Sequence, residues 1–235
     1  MKALVLAAGR GTRMNKLTDS TPKPLLIVNK KMFIDFVMKN LSDAGIDEVG
    51  IVVGYMKEKI IESLRVSGLK TTFIDQEEQL GTGHAIMMAK EWAGNDDFIV
   101  LMGDNLYSPH DIRNISRKDG FCYVAGYRHE TPEKFGVLVT KGEMLDSIIE
   151  KPSHPPSNLI NTGLYKFTPD IFDALAGIGK SERGEYEITD AISMLCKKHK
   201  VKFIRLDDYW LNLGCPEDVP AISDFLSKMP VSGNA

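Results

Sequence analysis

Cysteine is scarce: Cys122, Cys196 and Cys215 are all the chain has, odd in number and far apart. That excludes a disulfide frame and a thiolate zinc site, and fits free thiols in a reducing cytoplasm. The five histidines form no metal-spaced pair. No apolar run approaches the roughly 20 residues that cross a bilayer. The N-terminus opens directly into a strand-like stretch without a signal peptide. Positive charge is not in excess either. A net charge of -3 and a pI near 6.0 argue against a nucleic-acid partner, which would need a basic surface. Both common phosphate-loop signatures are missing at the start of the chain. Gly9 and Gly11 lack the third glycine of the dinucleotide fingerprint, because Met14 stands there, and no Gly-Lys-Ser/Thr follows as a Walker A loop would need. A nicotinamide-dependent oxidoreductase is thereby set aside.

What is present is a 235-residue chain, 43% hydrophobic and 26% charged, enough for one large α/β domain. Its organising stretch is the first 25 residues. Lys2 to Leu6 is a short apolar run that reads as a buried strand. Ala7, Ala8 and Gly9 then keep side-chain bulk off the backbone, and Gly9 and Gly11 allow a loop whose N–H groups face an anion. Arg10, Arg13 and Lys23 add three cations. This combination predicts a nucleoside triphosphate site. An ordinary glycine turn with solvated basic residues is the bland alternative.

Further along, helical periodicity over Met32 to Ala44, a strand over Glu48 to Val53, a helix over Lys57 to Leu64 and a strand over Thr71 to Ile74 alternate. Such alternation predicts parallel strands, helices on both faces, and a ligand crevice at the strands' C-terminal ends. Gln76 to Ala85 follows the third strand. Gly81 and Gly83 permit close backbone approach, Thr82 is positioned to cap a helix over His84 to Trp92, and the Gln76 and Gln79 amides can both donate and accept. Phe98 to Met102 is an apolar strand closed by Gly103 and Asp104, a carboxylate suited to Mg²⁺ beside a triphosphate or to a plain Asx turn. Strands are then expected at Gly120 to Tyr127, Lys134 to Thr140, Leu145 to Glu150, Asn161 to Phe167 and Val201 to Leu206. Helices are expected from Glu185 to about His199 and from Asp218 to Leu226.

Leu6-Ala7-Ala8-Gly9-x-Gly11-Thr12-Arg13 followed by Pro22-Lys23-Pro24 resembles the opening of the sugar-1-phosphate nucleotidylyltransferases, the NDP-sugar pyrophosphorylases. The likeness runs through most of the chain. It covers Gln76-x-x-x-Leu80-Gly81-Thr82-Gly83, Gly103-Asp104, Gly136-Val137, Glu150-Lys151-Pro152, Asn161-Thr162-Gly163, Glu185-x-Glu187-Ile188-Thr189-Asp190 and Trp210-x-Asn212-x-Gly214-x-Pro216-Glu217. The resemblance implies a Rossmann-like, mixed but mostly parallel α/β sheet flanked by helices in a single domain. Residues 1–110 would form the nucleotide half, 111–228 the sugar-phosphate half and 229–235 a tail.

By the same resemblance, Leu6, Ala7, Ala8, Gly9, Gly11, Thr12, Gln76, Gly81 and Thr82 would bind the nucleotide, Gln76 and Gly81 reading uracil or thymine. Gly136, Glu150, Lys151 and Asn161 would hold the sugar phosphate. Asp104 and Asn212 would hold Mg²⁺, and Arg13 and Lys23 would be catalytic. Asn212 departs from the family's usual aspartate. Its amide oxygen still coordinates Mg²⁺ but without a charge, which implies weaker binding or more reliance on phosphates.

The implied reaction consumes an NTP and a hexose-1-phosphate in the cytoplasm, with no nucleic-acid or membrane partner and with oligomeric state left open. The hexapeptide β-helix that some relatives carry is not expected here. Two rivals stand beside this reading. One is a cytidylyltransferase acting on phosphocholine or a polyol phosphate, for which an aromatic cage would be the mark. The other is a catalytically silent regulatory homologue.

Overall fold

A computed structural model describes residues 1–64 and 68–229. All of the expected tail beyond Met229 lies outside the described residues. The chain begins with β1 (Lys2–Leu6). It passes through 3₁₀ turns at Thr12–Thr18 and Lys23–Leu25 and a small hairpin, β2 (Ile27–Val28) and β3 (Lys31–Met32), into α1 (Phe33–Asp43). Then come β4 (Glu48–Val53), α2 (Lys57–Leu64), β5 (Lys70–Asp75), α3 (Thr82–Met88), α4 (Lys90–Ala93) and β6 (Phe98–Met102). The second half holds β7 (Asn105–Tyr107), α5 (Pro109–Ile115), β8 (Cys122–Arg128), β9 (Gly136–Lys141), β10 (Met144–Glu150) and β11 (Leu159–Phe167). It ends with α6 (Asp170–Ala176), α7 (Ile188–Lys197), β12 (Val201–Arg205), β13 (Trp210–Asn212) and α8 (Asp218–Lys228).

Nine strands make one mixed sheet in the order β5-β4-β1-β6-β11-β8-β12-β10-β9. Parallel pairing dominates the first half, where β5, β4, β1 and β6 run side by side. β11 then runs antiparallel to both β6 and β8, β12 is parallel to β8, and β10 and β9 close the order antiparallel. β9 also meets β11 through Ile160 and Val137, so the last five strands form a closed circuit of pairings.

The central strands are buried on both faces, which is why they read as continuous apolar runs. In β1, Ala3 and Val5 pack on one side with Phe33, Ile34, Val37 and Leu41 of α1. Leu4 packs on the other side with Ala85 and Ile86 of α3 and Ala191 of α7. The α1 residues recur at helical spacing and are almost wholly inaccessible. Truncating Leu41 to alanine would cost about 2–5 kcal/mol of stability.

Two helices differ in their bounds from expectation. The helix expected over His84 to Trp92 starts at Thr82 and breaks at Ala89, which has φ -86° and ψ 4°. The helix expected from Glu185 starts at Ile188. Between them the Tyr186 N–H donates to the Leu80 carbonyl at 2.8 Å, and the Gly83 N–H donates to the Tyr186 carbonyl at 2.8 Å. Gly83 N–H is a first-turn donor of α3 with no partner inside that helix, and Tyr186, committed at both N–H and C=O, lies just ahead of α7. Thr82 is not a cap. Gly81 takes that position at φ 95°, and the Thr82 hydroxyl accepts the Ile188 N–H at 3.4 Å. The short ribbon of β7 and β13, and helices α5 and α6, were not expected.

Candidate active site

β1, β4 and β6 end together, and hydrogen bonds between their ends fix the floor of a crevice. Ala7 N–H donates to Val52 C=O at 2.8 Å, Gly103 N–H to Leu6 C=O at 2.9 Å, and Gln76 N–H to Val53 C=O at 2.8 Å. Just beyond, the N–H groups of Ala8, Gly9, Arg10 and Gly11 have no protein partner among the described residues. Gly11 turns the chain with φ 66°, and a Cβ there would stand 3.1 Å from Lys23 Cβ. Its carbonyl accepts the Met14 N–H at 2.9 Å and the Thr18 hydroxyl at 3.1 Å, which holds the loop open toward the crevice. A row of free amides on a turn of this kind is an anion cradle.

The crevice, about 420 Å³, is lined by every residue the sequence assigned to the nucleotide: Leu6, Ala7, Ala8, Gly9, Gly11, Thr12, Gln76, Gly81 and Thr82. Arg13, Lys23 and Asp104 line it too. Arg13 is exposed and has no acidic partner among the described residues, so its guanidinium is available to a ligand. Arg10 lies over the Tyr55 ring, 5.6 Å from its centroid. Sequence reasoning missed Pro24, Ala85, Met102 and Glu185, which also line the crevice. Glu185 comes from far along the chain; it stood in a motif of the resemblance, but nothing local tied that motif to the nucleotide crevice.

Gln76 is buried. Its Nε2 donates to the Gly81 carbonyl at 3.2 Å and lies 3.0 Å from His84 Nδ1, so its two N–H groups are turned inward and its Oε1 is the free atom. The Gly81 N–H has no protein partner among the described residues. Gln79 is occupied differently from expectation, with Nε2 donating to the Ala8 carbonyl at 3.1 Å, where it ties the two glycine loops together. Gly81 and Gly83 are needed for protein packing as well as for a ligand. A Cβ on either would come within 2.8 Å of the Tyr186 carbonyl.

Lys23 is 6% exposed and its Nζ bonds Asp104 Oδ2 at 2.6 Å, so cation and carboxylate are held as a pair at the crevice floor. The ribbon of β7 and β13 brings Asn212 beside them. Asn212 is in register with Asn105, and the Leu213 N–H donates to the Asp104 carbonyl at 2.9 Å. The Asn212 side chain has no hydrogen bond among the described residues, which leaves its Oδ1 free. One carboxylate and one amide oxygen, both hard donors, suit Mg²⁺, an ion that completes its octahedron with water and substrate phosphates. No cluster of three or more His, Cys, Asp or Glu competes for a softer metal among the described residues.

The proposed sugar residues meet on β9, β10 and β11. Gly136 is paired with Glu150, and a Cβ at Gly136 would lie 3.1 Å from Glu150 Oε2, so the glycine makes room for that carboxylate. Asn161 Nδ2 donates to the Tyr165 hydroxyl at 2.8 Å while its Oδ1 accepts the Gly163 N–H at 3.1 Å, spanning the bulge in β11. Burial, with the Glu150 charge nearby, pushes the Tyr165 phenol up to about 12, although the Asn161 bond works the other way. Lys151 follows at φ 42°, its N–H donating to the Phe135 carbonyl at 3.0 Å and its side chain exposed without a partner among the described residues. The bulge is tied to β7, next to Asp104, through the Tyr107 hydroxyl, which donates to the Thr162 carbonyl at 2.7 Å.

A row of free loop amides at the ends of parallel strands, beside a buried cation–carboxylate pair, fits a nucleotide-handling transferase. A sequence profile of nucleotidyl transferases matches residues 2–229, and the chain belongs to that family. It is 38% identical over 228 residues to the UTP–glucose-1-phosphate uridylyltransferase AglF of Haloferax volcanii, covering 93% of each chain. It is also 38% identical over 233 residues to the bifunctional protein GlmU of Methanococcus maripaludis, covering 97% of this chain but 55% of that protein. The chain thus spans about half the length of the bifunctional relatives it matches. Among solved structures, UDP-glucose pyrophosphorylase complexed with UDP-glucose superposes with a TM-score of 0.83 at 26% identity, over 97% of this chain and 98% of the other. Among the described residues no helix is long and apolar enough to cross a membrane.

Proposed function

We propose that this protein transfers a uridylyl or thymidylyl group from the triphosphate to a hexose-1-phosphate, giving an NDP-sugar and pyrophosphate, with Mg²⁺ and in the cytoplasm. The observation that carries the reading is the adjacency of two unlike subsites. The free amides of Ala8 to Gly11 and unpaired Arg13 line a crevice with Lys23 and Asp104, and the β11 bulge that carries Asn161 is tied to β7, the strand that follows Asp104, by the Tyr107–Thr162 hydrogen bond. The relative AglF, named for UTP and glucose-1-phosphate, supports uracil and glucose in particular.

The sugar-phosphate oxygen attacks the α-phosphorus, a bond forms there, and the bond to the bridging oxygen breaks as pyrophosphate leaves. Such a step depends on positioning and on neutralising charge. The loop amides bind the phosphates, and Arg13 stabilises the charge that builds on departing pyrophosphate. Lys23, released from Asp104, holds the attacking phosphate against the α-phosphate. Asp104 and Asn212 would hold Mg²⁺, which would supply charge neutralisation for the phosphates. Gln76 Oε1 accepts the pyrimidine N3–H while the Gly81 N–H donates to the ring carbonyl beside it. Glu150 accepts from sugar hydroxyls and Asn161 donates its remaining amide hydrogen.

One observation favours the cytidylyltransferase rival. Tyr127, His129, Phe135 and Trp210 gather beside Asn212, lining a cavity of about 320 Å³. Their rings contact one another at centroid distances of 4.7 to 6.5 Å, however, so they spend much of their faces on each other. The test is a panel of UTP, dTTP and CTP against glucose-1-phosphate, N-acetylglucosamine-1-phosphate and phosphocholine with Mg²⁺, reading pyrophosphate. Turnover of UTP or dTTP with a hexose phosphate is expected. Turnover only with CTP and phosphocholine would hand the site to the rival.

A further inference from the structure

Asp104 is gripped at both oxygens. Lys23 holds Oδ2 at 2.6 Å, and Asn105 Nδ2 donates to Oδ1 at 2.8 Å. Asn105 is itself gripped, because its Oδ1 accepts the Trp210 indole N–H at 2.7 Å. The three links run in one direction for a chemical reason. An indole nitrogen can only donate, so it selects the oxygen end of the Asn105 amide and leaves the NH₂ end for the carboxylate. Asn105 is 6% exposed, which leaves little water to compete for either end. The geometry is set by the ribbon. Trp210 and Asn212 alternate onto one face of β13, opposite Tyr107 and Asn105 of β7, so the residue that orients Asp104 and the second metal donor ride on the same strand.

We propose that Asn105 and Trp210 are positioning residues that hold the Asp104 carboxylate in the orientation in which it receives Mg²⁺. The inference rests on the metal reading above and extends it outward by two residues. Without the indole donor, the Asn105 amide is free to turn its oxygen toward Asp104. That oxygen would repel the carboxylate and let it rotate off its bearing. Partners behind a metal ligand have this effect on affinity, typically tenfold or more.

The experiment measures Mn²⁺ binding by electron paramagnetic resonance with UTP present and sugar phosphate omitted, so that nothing turns over. Wild type, Trp210→Phe, Asn105→Ala and the double variant are compared, each with its melting temperature. Phenylalanine keeps an aromatic ring beside Tyr127 and Phe135 while removing the indole donor together with its second ring, and the melting temperature reports that packing loss. The expected result is an approximately tenfold weaker Mn²⁺ affinity in each single variant and about the same loss in the double, because both act through one chain of bonds. Unchanged Mn²⁺ affinity with a lowered melting temperature would make the links a mere staple between β7 and β13 and overturn the inference. Losses that multiply to about a hundredfold would overturn it as well. If wild type with UTP bound no Mn²⁺, the metal reading itself would fall, an outcome distinguishable from the other two.

Discussion

The two proposed subsites are built from different material. On the proposed nucleotide side the working groups would be mostly backbone: free amides from Ala8 to Gly11, and Gly11 and Gly81 at positive φ with crowded Cβ positions. On the proposed sugar side they would be side chains, Glu150, Lys151 and Asn161, on or next to strands that meet through antiparallel pairing and a bulge. Parallel strands that end at one edge deliver amides there almost automatically, and phosphate needs little more than amides and cations. A pyranose has hydroxyls at fixed directions, so its site must be assembled from individually placed donors and acceptors. The difference teaches that the first half is constrained mainly by shape and the second mainly by side-chain identity.

The sharpest break between them should come from Arg13→Ala. It is expected to lower kcat about 100-fold or more while leaving the fold untouched, since Arg13 is exposed and unpaired among the described residues. Steady-state pyrophosphate release checks it, and near-normal turnover would remove Arg13 from the chemistry. Next comes Gly81→Ala, where φ 95° and a Cβ within 2.8 Å of both Glu185 Cβ and the Tyr186 carbonyl should cost about 1–3 kcal/mol. Urea unfolding would measure it. The same alanine at exposed, uncrowded Gly9 should cost far less, because no atom lies within 4 Å of its Cβ.

On the sugar side, Glu150→Gln should raise KM for the hexose phosphate about tenfold with KM for UTP unchanged, as loss of a charged acceptor implies. Parallel rises in both constants would dissolve the division into two subsites. Asn212→Asp should lower the Mg²⁺ concentration needed for half-maximal rate several-fold, because it restores a charged ligand. A smaller effect still, absent at neutral pH, concerns Tyr165. Its folded pKa near 12 lies above an unfolded value near 10. Its contribution to stability is therefore complete below about pH 10 and is lost as pH rises toward 12. Tyr165→Phe should flatten that part of an alkaline unfolding curve.

The resemblance to sugar-1-phosphate nucleotidylyltransferases was legible because its motifs are local. Leu6 to Arg13, Gln76 to Gly83 and Gly103-Asp104 each sit where a strand ends and a loop begins, and the structure gathers all three around one crevice. The three-residue strands β7 and β13 were not legible. They are too short to show a period, and each exists only because the other pairs with it. The ring of the last five strands escaped notice for the same reason, since its closure is a single long-range pairing of Ile160 with Val137. Thr82 was misjudged because a capping pattern is local, whereas the Ile188 N–H that its hydroxyl accepts is some hundred residues away. Trp210 lay in plain view two residues before Asn212, the alternation that puts both on one face of a strand. Its bond to Asn105 could not be read without the pairing.

By itself the sequence determined the apolar strands, the amphipathic α1 and the residue types at each loop, because periodicity and the conformational freedom of glycine act over a few residues. Only the tertiary structure decided that Lys23 lies on Asp104, that Glu185 walls the crevice, and that an indole on β13 bonds the amide that bonds Asp104. Those relations join residues some 80 to more than 100 positions apart, and no rule of local spacing reaches that far.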